Sequence, residues 1–150
     1  MSAAITLASP GDLPRLFEVW ESSVRATHAF LTEADLQALI PLVREGLPAF
    51  GPIHVLRDDR GVACAFLGVE GPKVEMLFVH ADHRGRGLGA RLLAFAVETL
   101  GATEVDVNEQ NPLAVGFYLR QGFRVVGRSP LDGQGRPFPL LHLARERASA

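Results

Sequence analysis

The run Arg84-Gly85-Arg86-Gly87-Leu88-Gly89-Ala90 carries the most specific chemistry in the chain. Its closely spaced glycines let the backbone turn tightly and let a ligand approach the main chain. A helical pattern begins at Leu88. The first N–H groups of a helix have no internal partner and sit at the positive end of its dipole. Phosphate binds well at such a turn, and Arg84 and Arg86 add charge-assisted donors. Gly85 to Ala90 also fits the Gly-x-Gly-x-x-Gly/Ala dinucleotide fingerprint, with Asp106 about 20 residues on, where a ribose partner belongs. Three features oppose that reading. Ala81 to Arg84 separate the preceding strand from the first glycine. The chain is too short for two βαβαβ halves. The segment before the strand reads as a hairpin meander. No Gly-Lys-Ser/Thr follows, which excludes a P-loop.

The remaining reactive side chains form no pattern of their own. Cys64 is the single cysteine, so there is no disulfide framework and no multi-cysteine zinc site. It lies in the apolar run Val62 to Leu67 and reads as a buried structural thiol. His54 and His142 offer no partner pattern, and no set of His, Cys and carboxylates has metal-ligand spacing. His80 and His83 flank the glycine turn and read as loop residues.

Elements on either side must hold the turn in place. Ile5 to Leu7 reads as a short strand, broken by Ser9-Pro10-Gly11-Asp12. Leu13, Leu16, Phe17, Trp20 and Val24 form one helical face. A second helix reads from about Thr32 to Arg44, with Thr32 and Asp35 as its cap pair. Ile53 to Leu56 and Val62 to Val69 are strands joined by the hairpin turn Asp58 to Gly61. Lys73 to His80 is a third strand and leads into the glycine turn. A helix through Leu100, a strand over Glu104 to Asn108, a helix ended by Gly122, and strands at Phe123 to Gly127 and Leu140 to Leu143 complete the order. Mixed αβ order with early hairpins implies an α/β sheet that is partly antiparallel. The 150 residues fit one domain over 1–150, and 47% hydrophobic content suffices for its core. A net charge of −2 argues against a dedicated nucleic-acid binder. No apolar run reaches the length of a membrane span, and the start lacks a signal-peptide layout. A soluble, cytoplasmic protein is expected.

Arg84-x-x-Gly87-x-Gly89 resembles the Gln/Arg-x-x-Gly-x-Gly/Ala motif of the GCN5-related N-acetyltransferase (GNAT) superfamily. Asn111-Pro112-Leu113-Ala114-Val115-Gly116-Phe117-Tyr118, followed by Gly122-Phe123, resembles that family's second signature. The element order is also the family's, so the resemblance covers nearly the whole chain. Ser23-Val24-x-Ala26-Thr27-His28-x-Phe30-Leu31 and Val107-Asn108-Glu109-Gln110-Asn111 are similar to YjaB-type bacterial acetyltransferases, described as protein-lysine N-acetyltransferases. The resemblance implies a mixed, mostly antiparallel sheet of about seven strands with a splayed central parallel pair, and about four helices. It implies acetyl-CoA as cosubstrate and no metal. The pyrophosphate would meet Arg84, Gly85, Arg86, Gly87, Leu88, Gly89 and Ala90. The pantetheine arm would run beside Leu77, Phe78 and Val79, with Asn111 in side-chain contact and Phe117 packed next to it. Tyr118 matches the general acid that protonates the departing thiolate. The acceptor would be a small-molecule amine or protein lysine, its pocket shaped by His28 and Phe30. A homodimer is compatible with the family.

The acceptor must lose a proton to attack. At pH 7 a lysine amine costs roughly 4–5 kcal/mol to deprotonate, and an α-amine only ~1–1.5 kcal/mol. Glu75 is the first candidate base, because simple alternation puts it on the face of Leu77 and Val79. The family's usual base position falls nearer Lys73, which is no base at neutral pH. His28 is the next candidate. Two other functions stay compatible with the turn: a non-catalytic acyl-CoA-binding module, motivated by the unassigned base, and a dinucleotide-binding enzyme.

Overall fold

The computed structural model describes residues 4–148. Its strands are β1 (Thr6–Leu7), β2 (Ile53–Arg57), β3 (Ala63–Glu70), β4 (Lys73–Val79), β5 (Glu104–Asn108), β6 (Arg124–Ser129) and β7 (Leu140–Ala144). They form one sheet in the order β1-β2-β3-β4-β5-β7-β6. Every pairing is antiparallel except the central β4–β5 pair, which is parallel. The α-helices are α1 (Leu13–Thr27), α2 (Glu33–Ala49), α3 (Leu88–Glu98) and α4 (Pro112–Arg120).

Strand alternation divides the core between the two faces. Phe66 turns toward Leu16, Val19 and Trp20 of α1 and Leu36 and Leu47 of α2. Its neighbour Leu67 turns the other way, toward Leu92, Leu93 and Ala96 of α3 and Tyr118 of α4. Cys64 is buried, and its thiol donates to the Leu56 carbonyl at 3.3 Å. Burial pushes that thiol above its ordinary pKa, which keeps it protonated and unreactive.

The expected cap of α2 is present. Thr32 Oγ1 accepts the Asp35 N–H and Asp35 Oδ2 accepts the Thr32 N–H, both at 3.0 Å. The helix differs from expectation at its other end. It runs through Pro41 to Ala49 instead of stopping near Arg44. Pro41 and the Gln37 carbonyl it cannot bond are on the exposed side, and buried Leu47 anchors the final turns.

An ion pair ties the start of α1 to the sheet. Arg57 Nη1 and Nη2 donate to Asp12 Oδ1 and Oδ2 at 2.8 and 2.9 Å. The Arg57 guanidinium, helped by the Ser9 N–H, holds the Asp12 carboxyl far below the usual carboxylate range. A depressed folded-state pKa gives stability that is complete above the unfolded carboxyl value of about 4 and is lost as pH falls below it. Asp12→Asn is therefore expected to cost about 1 kcal/mol at pH 7. Urea denaturation should show that gap narrowing between pH 5 and pH 2.

Candidate active site

Parallel pairing of β4 with β5 stops after Lys73↔Glu104 and Val74↔Val105. β4 then continues to Val79 and β5 to Asn108 without pairing to each other. A cleft of about 720 Å³ opens between them. Leu77, Phe78 and Val79 of β4 line one wall, and Val105, Asp106, Val107 and Asn108 of β5 line the other.

At the end of β4 a single 3₁₀ turn (Ala81–His83) leads to the glycine turn. Ser22 Oγ on α1 accepts the Ala81 N–H at 3.0 Å and steadies the turn. Gly85 and Gly87 have φ of +78° and +76°, a left-handed conformation suited to glycine. Gly87 caps α3, so the free N–H groups of its first turn face the same opening. Arg84, Gly85, Gly87, Leu88, Gly89 and Ala90 border the cleft. Arg86 is not part of that lining, and its guanidinium contacts His83 Nδ1 at 3.3 Å. A Cβ added at Gly89 would stand 3.6 Å from Phe117 and 3.9 Å from Val79, so α3, α4 and β4 converge there.

α4 supplies the opposite wall. Asn111 is buried and caps the helix, its Oδ1 accepting the Ala114 N–H at 3.2 Å. Phe117 and Tyr118 both line the cleft, their rings edge to face at 5.0 Å. Tyr118 also packs on Phe123 at 5.7 Å. Burial pushes the Tyr118 phenol well above its ordinary pKa, so it remains a proton donor throughout the neutral range.

The acceptor-side candidates come from α1 and β4. His28 caps α1 and borders the cleft. Thr27 Oγ1 donates its hydrogen to the Ser23 carbonyl at 2.7 Å, so its 2.7 Å contact with His28 Nδ1 is one in which it accepts. Nδ1 then carries the ring proton, and neutral His28 presents Nε2 as an acceptor. Burial lowers the imidazole pKa and favours that neutral form. Phe30 stands behind His28 at 5.3 Å, outside the cleft lining, and touches Phe138 at 6.0 Å.

Glu75 borders the cleft, but simple alternation misplaces it. Gly68 pairs with Met76 and Val69 with Val74, which leaves Glu75 as an extra residue, a β-bulge. Val74, Leu77 and Val79 all pack into the core beneath α3, so the alternation slips by one between residues 74 and 77. The bulge turns Glu75 to the face of Lys73 and Asp106. Its carboxylate lies 4.0 Å from Lys73 Nζ, which pairs with Asp106 at 2.5 Å.

His142 also differs from expectation. It has close partners on two other strands, Asp106 and Ser129. Among the described residues, no group of three or more His, Cys, Asp or Glu could hold a metal ion. No helix among them is long and apolar enough to cross a membrane.

Comparison with known proteins assigns this arrangement to a family. Residues 50–125 match the Acetyltransferase (GNAT) domain. The chain belongs to the GNAT family of acetyltransferases. It is 40% identical over 129 residues to the peptidyl-lysine N-acetyltransferase YjaB of Salmonella typhimurium, covering 86% of this chain and 88% of that protein. The Escherichia coli protein of the same name is 41% identical over 129 residues, covering 86% and 87%. The solution structure of apo-form YjaB from Escherichia coli superimposes with a TM-score of 0.86 and 36% identity, covering 99% of this chain and 100% of that one. These matches bear out the GNAT reading of the two motifs and the mixed seven-stranded fold. They also set aside the dinucleotide reading of residues 85–90, since the sheet contains no βαβαβ halves.

Proposed function

We propose that this GNAT protein transfers the acetyl group of acetyl-CoA to a primary amine, with peptidyl lysine as the acceptor class. One observation carries the reading: the cleft runs without interruption from the left-handed glycine turn, along the unpaired reach of β4 and β5, to the buried Tyr118. The names of the YjaB relatives support lysine.

The residues fit acetyl-CoA. The free N–H groups at the start of α3, with Arg84, suit the pyrophosphate. The open reach of β4 at Leu77–Val79 suits an extended amide-bearing arm, which would hydrogen-bond to it like an added strand. When bound, acetyl-CoA supplies an activated thioester carbonyl and a thiol leaving group. Tyr118 donates to the departing sulfur. Phe117 and Asn111 hold that end of the cleft in shape. The amine proton goes to Glu75, placed by the bulge on the α1 side, or to Nε2 of neutral His28. Glu75→Gln and His28→Gln separate these routes: the substitution at the working base should lower kcat by about 10²-fold or more, and the other should change it little.

The reading is tested by incubating the protein with acetyl-CoA and a panel of lysine peptides, peptide α-amines, amino acids and small amines, while titrating released thiol. Release stimulated by lysine peptides is expected. Tight CoA binding with no turnover on any acceptor would make the protein an acyl-CoA-binding module instead.

A further inference from the structure

Three side chains on three strands form a second chemical arrangement, to which the proposed amine acetylation assigns no step. Ser129 Oγ on β6 lies 2.6 Å from His142 Nε2 on β7, and His142 Nδ1 lies 2.6 Å from Asp106 Oδ1 on β5. The register explains how they meet. Asp106 pairs with His142, and His142 pairs with Gly127. A Cβ at Gly127 would stand 3.4 Å from His142 Cδ2, so glycine there leaves space for the imidazole beside β6. Burial alone would raise the Asp106 carboxyl, but Lys73 and His142 outweigh it and hold the group below the usual carboxylate range. An ionised carboxylate only accepts, so His142 Nδ1 carries the proton and Nε2 accepts from the Ser129 hydroxyl. All three residues are half-buried and reachable. A cavity of about 430 Å³ borders Asp106 and His142, with Lys73, Glu104 and Arg145 as its other charged groups; Ser129 lies outside its lining, on the half-exposed surface of β6.

A hydroxyl bonded to a base that is itself oriented by a third group is the general signature of an activated nucleophile, and it recurs on unrelated folds. We propose that Ser129 is such a nucleophile and accepts an acyl group from small activated esters. The bond from Ser129 Oγ to the acyl carbon forms as the ester C–O bond breaks. The hydroxyl proton passes to His142 Nε2, and Asp106 stabilises the imidazolium. The leaving oxygen departs with its electron pair and takes up that proton. Water then cleaves the acyl-serine with help from the same base, releasing the carboxylic acid and restoring the hydroxyl. Ser129 is followed by Pro130, which has no N–H. The backbone donor that follows the nucleophile in many serine hydrolases is therefore missing, which slows acylation and deacylation alike; the acyl-serine accumulates with an activated ester because its own alkyl oxygen is the poorer leaving group.

The test uses p-nitrophenyl acetate with the full chain, and is independent of amine acetylation. Wild type should release nitrophenolate, and mass spectrometry should find the acetyl group on Ser129. Ser129→Ala, close to isosteric, should lose the label. His142→Gln should slow acylation by about 10²-fold or more, and Asp106→Asn should slow it in the same direction. An acetyl label on another residue, no label at all, or wild-type acylation rates in Ser129→Ala or His142→Gln would each overturn the proposal.

Discussion

Tyr118→Phe is expected to lower kcat for amine acetylation by about 10²–10³-fold, with acetyl-CoA affinity nearly unchanged. The substitution removes one oxygen and keeps the ring, so the edge-to-face contacts with Phe117 and Phe123 persist. The separation of kcat from affinity is the diagnostic result. A tyrosine that served only to pack the core would lose stability or binding and spare the chemical step. A raised phenol pKa makes Tyr118 a weaker acid, which at first sight opposes donation to a thiolate. The same burial, however, disfavours the thiolate and raises its demand for a proton. A hydrogen bond aimed at charge that develops on sulfur is effective in such a site before transfer is complete. The sign of the shift also shapes the pH profile. Tyr118 stays protonated across the neutral and mildly alkaline range, so it contributes no alkaline fall there. An acid limb would report the group that receives the amine proton, and it should survive in the residual activity of Tyr118→Phe. Wild-type turnover in that variant would remove Tyr118 as the acid.

Much of this site was legible because its parts are local. The glycine turn needs left-handed backbone within a few residues, and only the spacing of Gly85, Gly87 and Gly89 has to be read. The Thr32–Asp35 cap is likewise a four-residue feature. Asn111 and Tyr118 could be placed because both sit on one short helix with a recognisable pattern. What could not be read depends on contacts between distant segments. The bulge at Glu75 exists only relative to its register with β3, and nothing in Lys73-Val74-Glu75-Met76-Leu77 marks the slip. His142 and Asp106 are 36 positions apart and meet because β5 and β7 are neighbours, across an intervening helix, α4, and strand, β6. The passage of α2 through Pro41 was hidden for a similar reason: Leu47 finds its place in the core only after the helix has packed.

Gly87→Val is expected to weaken CoA binding by about 10- to 100-fold, roughly 1.4–2.8 kcal/mol, when titrated by calorimetry. Nothing lies within 4 Å of a Cβ added at that position. No clash with the protein accompanies the added Cβ, so the penalty within the protein lies in the backbone. Gly87 has φ of +76° at the cap of α3, and a β-branched residue is strongly disfavoured in that region. The variant relieves the strain by rotating residue 87 out of the left-handed region, which takes the first N–H groups of α3 away from the cleft. Fold stability should change less than affinity, because Gly87 is not among the core residues beneath α3. Gly46→Ala supplies the comparison. It lies in α2, also has nothing within 4 Å, and has an ordinary helical backbone, so it should leave CoA affinity at the wild-type value. Parallel titration with NAD distinguishes the two ligands that the glycine spacing alone could admit. Unchanged CoA binding in Gly87→Val would mean that the turn does not hold the pyrophosphate, whatever Tyr118 does at the other end of the cleft.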